Sequence, residues 1–443
     1  MSKTGLVWLL CYLVGCVATL VNPLYGLMTY MFAYYTNPPL HWWSEGLPLI
    51  RWSYTISIIL AISYFIHRAG RHSLGFFSHA QSKWLVLLVL IAFSVTPIAV
   101  DRTMSLDEAT KLSKALALYF LMAQMISSPK TFRWLVAAHI LGGVYWGIEA
   151  FMDPETEAGR LINVGGPDTD TGNSTAAHIS TILPFAGFWF LNGTKWERRL
   201  ALVAAPLLVY TFELLNSRGA MLGLAVAFLA TLWWGWRRWG GKLLLAGGVA
   251  ALALAIVAGP KFIERQTSTF KPEDHSALSR LDFWTAALEL MQDRPLGAGG
   301  MGFDLLSPQY LPEEVVRKDY RLITAHNTYL LCGSEWGWAG MFVFCMFLFA
   351  TFRQLRDLMT RKAQTEVQRR IQVDALACAA ALVGVCVAGM FGNRLYGEAM
   401  YWLAAMSAGL ANIWARDVRE QEEEEEVVEV EVEAKPRLVV AGG

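Results

Sequence analysis

Charge is what this sequence is short of. Only 17% of its 443 residues are Asp, Glu, Lys or Arg, against roughly 25% in soluble domains. The 37 basic and 37 acidic residues cancel, so bulk electrostatics point to no partner and no nucleic acid is expected. Cysteine chemistry is missing as well. Cys11, Cys16, Cys332, Cys345, Cys378 and Cys386 all lie in apolar runs and none forms a CxxC pair, which leaves no zinc site and no disulfide framework indicated. There is no HExxH and no GxSxG, so zinc-protease and serine-hydrolase signatures are absent. No internal repeat of fixed period is evident. No small-residue cleavage site follows the first apolar stretch, so no removed signal peptide is expected.

What the chain does have is hydrophobic length. It is 55% hydrophobic, with a mean hydropathy of +0.36. Its many long apolar runs describe a polytopic membrane protein. Such spans must be helices, because an unpaired amide in lipid costs several kcal/mol and a barrel would read as alternating ten-residue segments. The expected fold is therefore all-α, with 12 or 13 spans. The count turns on Leu6–Val21 and Leu24–Tyr35, parted only by Asn22-Pro23. They read as one kinked helix, a re-entrant hairpin or two thin spans. Four parts follow: N-terminal spans over 1–258, one long loop with short helices over 259–325, C-terminal spans over 326–416, and a Glu-rich tail over 417–443.

Orientation follows from lysine and arginine in short loops. His67-Arg68…Arg71, Lys130…Arg133, Lys195…Arg198-Arg199, Arg237-Arg238…Lys242 and Arg353…Arg370 alternate with basic-poor loops. The basic set is expected in the cytoplasm, and the 259–325 loop on the opposite, periplasmic side. The tail alternates Val and Glu from Val427. A strand and a solvated, disordered cytoplasmic tail compete there, and its single charge sign favours the tail.

Chemistry is sought in the polar stretch from Phe262 to Trp338. It holds a candidate amphipathic helix, Ser276–Gln292, with Leu278, Leu281, Trp284, Leu288 and Met291 at helical spacing. Three cationic side chains fall where the positive-inside rule disfavours them. Arg218 follows Ser217, a residue suited to cap the next helix, so free amides, the helix dipole and a guanidinium converge as an anion site. The plain alternative is an arginine reaching lipid headgroups. Arg280 borders the apolar face of the candidate helix; its plain alternative is a surface charge beside Asp282. His326 enters an apolar span, an expensive place unless paired or functional, and its ordinary pKa of about 6.5 suits proton transfer. A lone histidine is more often a cap or a satisfied core residue.

Two further stretches carry weaker signals. Gly297-Ala-Gly-Gly-Met-Gly302 lacks the Lys-Ser/Thr of a Walker loop and reads as a tight turn after Pro295. Asp168 and Asp170, in Asp168-Thr-Asp-Thr-Gly-Asn173, read either as oxygen ligands for a divalent cation or as an Asp/Gly turn.

Taken in order, Asn216-Ser217-Arg218-Gly219, Ser279-Arg280…Trp284, Pro295-Leu296-Gly297…Phe303 and His326-Asn327…Gly333-x-Glu335-x-Gly337-x-x-Gly340 resemble the O-antigen ligase and polymerase superfamily. The likeness covers about Arg160 to the last span. The Pro23…Gly26…Tyr30…Asn37-Pro38 region resembles the branch of exosortase-associated O-glycosylation ligases. The resemblance implies a type C glycosyltransferase of the bacterial inner membrane with its site at the periplasmic face. It implies a glycan donor on undecaprenyl diphosphate and an acceptor such as lipid A–core. It implies that Arg218 and Arg280, with Arg160 as a third arginine, bind the diphosphate and that His326 acts at the acceptor, with no metal and no cofactor. Asn327, Asn393 and Arg394 stand as accessory positions. Asp168 and Asp170 depart from a metal-free picture.

Related readings share the donor site: a polymerase acting on another lipid-linked repeat, or a protein O-oligosaccharyltransferase. A transporter is a different class. The unusual residues sit at one face, away from the bilayer midplane where transport sites lie. A non-catalytic subunit of a polysaccharide export complex is another.

Overall fold

A computed structural model of the chain describes residues 2–67, 74–157, 159–169, 171–267, 275–313 and 323–434, with backbone only for 275–279 and 427–434. It is an all-α polytopic membrane protein. Helix starts are written in the sequence. Ser2, Asn22, Asp101, Ser128, Thr171, Ser217, Asn327 and Thr365 each accept a first-turn amide with a side-chain oxygen, satisfying donors that a helix leaves orphaned. They open α1 (Lys3–Val21), α2 (Pro23–Thr36), α5 (Arg102–Met125), α6 (Pro129–Met152), α7 (Gly172–Asn192), α9 (Arg218–Val257), α13 (Thr328–Thr360) and α14 (Glu366–Ala388). The remaining long helices are α3 (Trp52–His67), α4 (Ala80–Val95), α8 (Lys195–Leu215) and α15 (Glu398–Ala434). Among the described residues, six helices are long and apolar enough by themselves to cross a membrane.

The first two apolar runs form an antiparallel pair. Trp8 Nε1, near the start of α1, donates to Thr36 Oγ1 at the end of α2 (2.8 Å), and Ser2 Oγ donates to the Trp43 carbonyl just beyond it (2.8 Å). The Asn22-Pro23 step is thus the turn between two arms. α9 hides a second reversal. A straight helix of 40 residues would be about 60 Å long, yet the Gly259 amide, just past its end, donates to Glu213 Oε1 just before its start (3.0 Å). A Cβ on Gly247 would also meet the Phe228 ring. Arg218–Val257 therefore folds back on itself at residues 237–242. The Gly219–Trp236 and Leu243–Ala258 runs are its two arms.

With both reversals in place the arms alternate between two ends. One end, the loop end, carries the described residues of 37–51, 153–157, 159–169, 258–267, 275–313, 323–327 and 389–397. The other carries Arg133, Arg237, Arg238 and Arg370. α14 lies against α7, α9, α13 and α15. Its Ala375, Ala377, Ala379, Ala380 and Ala381 are buried, and small residues let helices approach without a solvent-driven term. Gly223 of α9 meets the Gly384 backbone there.

The long loop holds α10 (Pro260–Thr267), α11 (His275–Asp293) and α12 (Gly302–Leu306). Between α11 and α12 the glycine stretch is a turn laced onto α13. Ala298 N donates to Ser334 O (2.8 Å), Gly299 N to Glu335 O (2.9 Å) and Met301 N to Glu335 Oε1 (2.9 Å). α13 kinks there at Gly337 (φ 72°, ψ 179°), a conformation that demands glycine. α11 is amphipathic in a different sense from the leucine spacing. Ala286, Ala287, Leu290 and Met291 are buried, and Leu281 and Leu288 are exposed. The buried set packs on α13, and Leu281 and Leu288 face outward.

The Glu-rich segment departs from the expected disordered tail as far as it is described. α15 continues unbroken to Ala434, because Glu and Ala are good helix formers and no breaker occurs before Pro436.

Candidate active site at the loop end

The site is assembled around Phe391, the last residue of a single 3-10 turn, Gly389–Phe391. A Cβ on Gly219 would stand 2.9 Å from Phe391 Cβ, so the first turn of α9 rests on that residue. The Arg280 guanidinium carbon lies 5.8 Å from the Phe391 ring centre, and the Trp284 ring lies 6.1 Å away. Arg218 opens α9, half-buried, with Ser217 Oγ accepting from Ala220 N (3.4 Å). One aromatic side chain therefore gathers the Arg218 helix terminus and the Arg280 guanidinium. His326 joins through the same helix: its ring is 5.8 Å from Phe283, next to Trp284 on α11.

His326 is exposed and has a left-handed backbone (φ 47°), uncommon for a residue with a side chain. It immediately precedes Asn327, whose Oδ1 accepts from Tyr329 N (2.9 Å) and Leu330 N (3.1 Å). Asn327 is thus the cap of α13. Asn393 Nδ2 donates to Thr324 Oγ1, Arg394 N donates to Thr328 Oγ1 (2.8 Å), and Thr328 Oγ1 donates to Gly392 O (2.8 Å). These bonds clip the Phe391 segment to the His326 segment. The Arg394 guanidinium is buried and donates to Ser174 Oγ at the start of α7.

Arg160 stands in the neighbouring layer. It lies in a small hairpin, β1 (Thr156–Glu157) against β2 (Arg160–Leu161), opposite Glu157. A Cβ on Gly159 would be 3.6 Å from Lys261 Cδ, and the Lys261 carbonyl accepts from Asn216 Nδ2 (3.4 Å). Lys261 of α10 so links the Arg160 hairpin to the corner that opens onto Arg218.

Asp168 sits deep in a polar layer that the sequence reading missed. Its Oδ1 accepts from the Tyr34 hydroxyl and its Oδ2 from Glu398 N (2.7 Å). Burial raises its carboxyl above the aspartate range, while Tyr34, the Glu398 amide and Arg394 pull it down. Asp170 lies outside the described residues. Among the described residues no group of three or more His, Cys, Asp or Glu is arranged to hold a metal ion.

The layer continues inward with fixed directions. Thr181 Oγ1 donates to His178 O (2.6 Å), so its oxygen accepts from His139 Nε2 (3.1 Å). His139 Nδ1 then accepts from the Tyr35 hydroxyl, whose oxygen accepts from His178 Nε2 (2.9 Å). The Tyr34 hydroxyl lies 3.2 Å from His178 Nδ1. The His139 tautomer is set by these partners, and both rings are buried in the layer, so neither is placed to serve as a base at the loop-end surface. Tyrosines spaced four and five apart in an apolar run, and histidines inside two others, were the available signal. A second unforeseen group braces the glycine turn: Tyr396 donates to Glu335 Oε2, and beside it Asp304 is buried, its carboxyl pushed up to about 7 by burial and by Glu108.

No curated protein matches the chain significantly. Residues 202–345 match the family model described as O-antigen ligase. That stretch runs from α8 to the middle of α13 and contains Arg218, Arg280 and His326. It does not reach Arg160, Asn393, Arg394 or the N-terminal region likened to the exosortase-associated branch. The match likens this stretch of the chain to the O-antigen ligase family, in a multi-pass membrane fold.

Proposed function

We propose that the protein transfers a preassembled glycan from undecaprenyl diphosphate to an acceptor hydroxyl, with lipid A–core as the acceptor, at the periplasmic face of the bacterial inner membrane. The observation that carries the reading is the convergence on Phe391 of the α9 N-terminus, the Arg280 guanidinium and, through α11, His326.

In this reading the diphosphate sits between Arg218, the helix terminus and Arg280, with Arg160 at its edge. Fixed guanidinium donors stabilise the charge that grows as the anomeric carbon–oxygen bond breaks. His326 accepts the proton of the attacking hydroxyl, a contribution of about 10²–10⁴ in rate. The new glycosidic bond forms as the lipid diphosphate leaves, so direct attack inverts the anomeric centre. Asn327 and the 392–394 clip hold the histidine segment against the arginine segment. The elimination of His139 and His178 as bases supports His326, since it is the exposed histidine described at the loop end.

The test is transfer by purified protein given undecaprenyl-diphosphate-linked glycan and lipid A–core, with and without EDTA. Inverted product that survives chelation is expected. Turnover that needs Mg²⁺ or Mn²⁺ would move the site to Asp168, and glycosylation of no acceptor would remove the reading.

A further inference from the structure

The end of the bundle opposite the loop carries a cavity of about 570 Å³ lined by Trp233, Trp234 and Arg237 of α9 and by Phe352, Arg356 and Thr360 of α13. The geometry points to a binding site for one anionic phospholipid, its phosphodiester held between Arg237 and Arg356 and its chains laid along the aromatic walls.

The two arginines differ from their neighbours. Arg238 donates to Gln372 Oε1 (2.9 Å) and lies 4.7 Å over the Trp239 ring. Arg370 pairs with Glu197 (2.5 Å), Arg369 with Glu366 (2.8 Å), and Arg361 lies 5.9 Å over Trp414. Among the described residues neither the Arg237 nor the Arg356 guanidinium has a hydrogen bond, ion pair or ring partner. No acidic residue lines the cavity. Two like charges on one wall favour an anion that brings its own negative charge.

The walls say what the anion is attached to. On α9, Leu229, Trp233 and Arg237 recur every four residues. On α13, Phe349, Phe352, Arg356 and Thr360 follow at three and four. Residues at such spacing share a helix face, so each stripe runs from hydrophobic side chains to an arginine. That is the polarity order of a phospholipid from chain to headgroup. Leu229, Trp233 and Phe349 are 62%, 83% and 56% exposed, so the apolar part of each stripe is open to a chain. Trp234 and Phe352 meet across the two helices at 5.2 Å, their rings tilted by 44°, and close the floor. A free phosphate would use the arginines and leave the aromatic walls uncovered. Basic pockets between spans at the cytoplasmic side suit anionic headgroups, and each arginine near the surface contributes about fivefold in affinity.

The experiment titrates purified full-length protein in detergent with phosphatidylglycerol or phosphatidylcholine and counts bound lipid by native mass spectrometry. One phosphatidylglycerol should be retained in preference to phosphatidylcholine. Arg237→Gln and Arg356→Gln should each weaken it about fivefold, and the double variant about 30-fold. Arg238→Gln, whose guanidinium is already engaged, should bind as wild type. Inorganic phosphate at matched concentration should not displace the lipid. Size-exclusion profiles confirm that these surface variants are folded. Equal retention of both lipids, an unchanged double variant, an equal loss in Arg238→Gln, or displacement by phosphate alone would each overturn the site.

Discussion

Phe391→Ala is the perturbation that separates an assembled site from a set of nearby cations. The ring meets the Arg280 guanidinium at 5.8 Å, the Trp284 ring at 6.1 Å and the Gly219 backbone. A cation–π contact at an accessible site contributes about 0.5–1 kcal/mol and an aromatic pair about 0.5–1.5 kcal/mol. Removing both costs about 1–2.5 kcal/mol of positioning, or about 5- to 70-fold in donor affinity. The cap of α9 is made by Ser217 and the cap of α13 by Asn327, so neither helix depends on the ring. Phe391→Tyr keeps the π face and should behave nearly as wild type. Phe391→Leu keeps bulk without the face and should fall between. The assay is binding of lipid diphosphate alongside glycan transfer, with thermal stability followed in the same detergent. Donor affinity undiminished in both Ala and Leu variants would refute the view that this ring places Arg280.

Arg218→Lys keeps the charge and loses the planar fork, so transfer should fall by about tenfold or more, with Arg280→Ala similar; wild-type turnover by both at normal expression would leave the anion site without support. Gly337→Ala would put a Cβ 2.6 Å from the Pro295 carbonyl oxygen at positive φ and should cost roughly 1–3 kcal/mol in a thermal melt. Gly187→Ala, with open space around its Cβ, should not destabilise. Asp304 is pushed up from 3.8 to about 7, so the folded state holds a proton that the unfolded chain releases. Its contribution is present below about pH 4, declines as pH rises towards 7, and is gone above. Asp304→Asn should therefore raise stability at pH 8 by roughly 2–4 kcal/mol relative to its effect at pH 4. An equal shift at both values would refute the assignment.

Much of this arrangement was legible in the sequence because it rests on one-dimensional signals. Apolar runs gave the arms, including the two that fold back on each other within Arg218–Val257. Ser217 announced the helix start that places Arg218. The polar layer of Tyr30, Tyr34, Tyr35, His139, His178 and Glu398 was not legible. Histidines inside apolar runs were a signal that something polar lay there, but what it was lies in pairings across as many as 368 positions. The division of α11 between a buried and an outward face was left open for a related reason. Leucine spacing marks an apolar face, but in a membrane protein an apolar face can meet either lipid or neighbouring helices, and α11 does both. Phe391 had no local signal at all, since its role comes from standing where three elements meet.

The most direct test of the account is His326→Gln, measured for glycan transfer and lipid-diphosphate binding on the same purified sample. Glutamine can hydrogen-bond but cannot accept the proton at neutral pH. The account predicts normal insertion, donor binding within a few-fold of wild type because Arg218 and Arg280 hold the diphosphate, and transfer reduced by roughly 10²-fold or more. Near-normal transfer would make His326 a structural residue ahead of the α13 cap. Loss of binding together with transfer would place it in the donor site and contradict its assignment as the base.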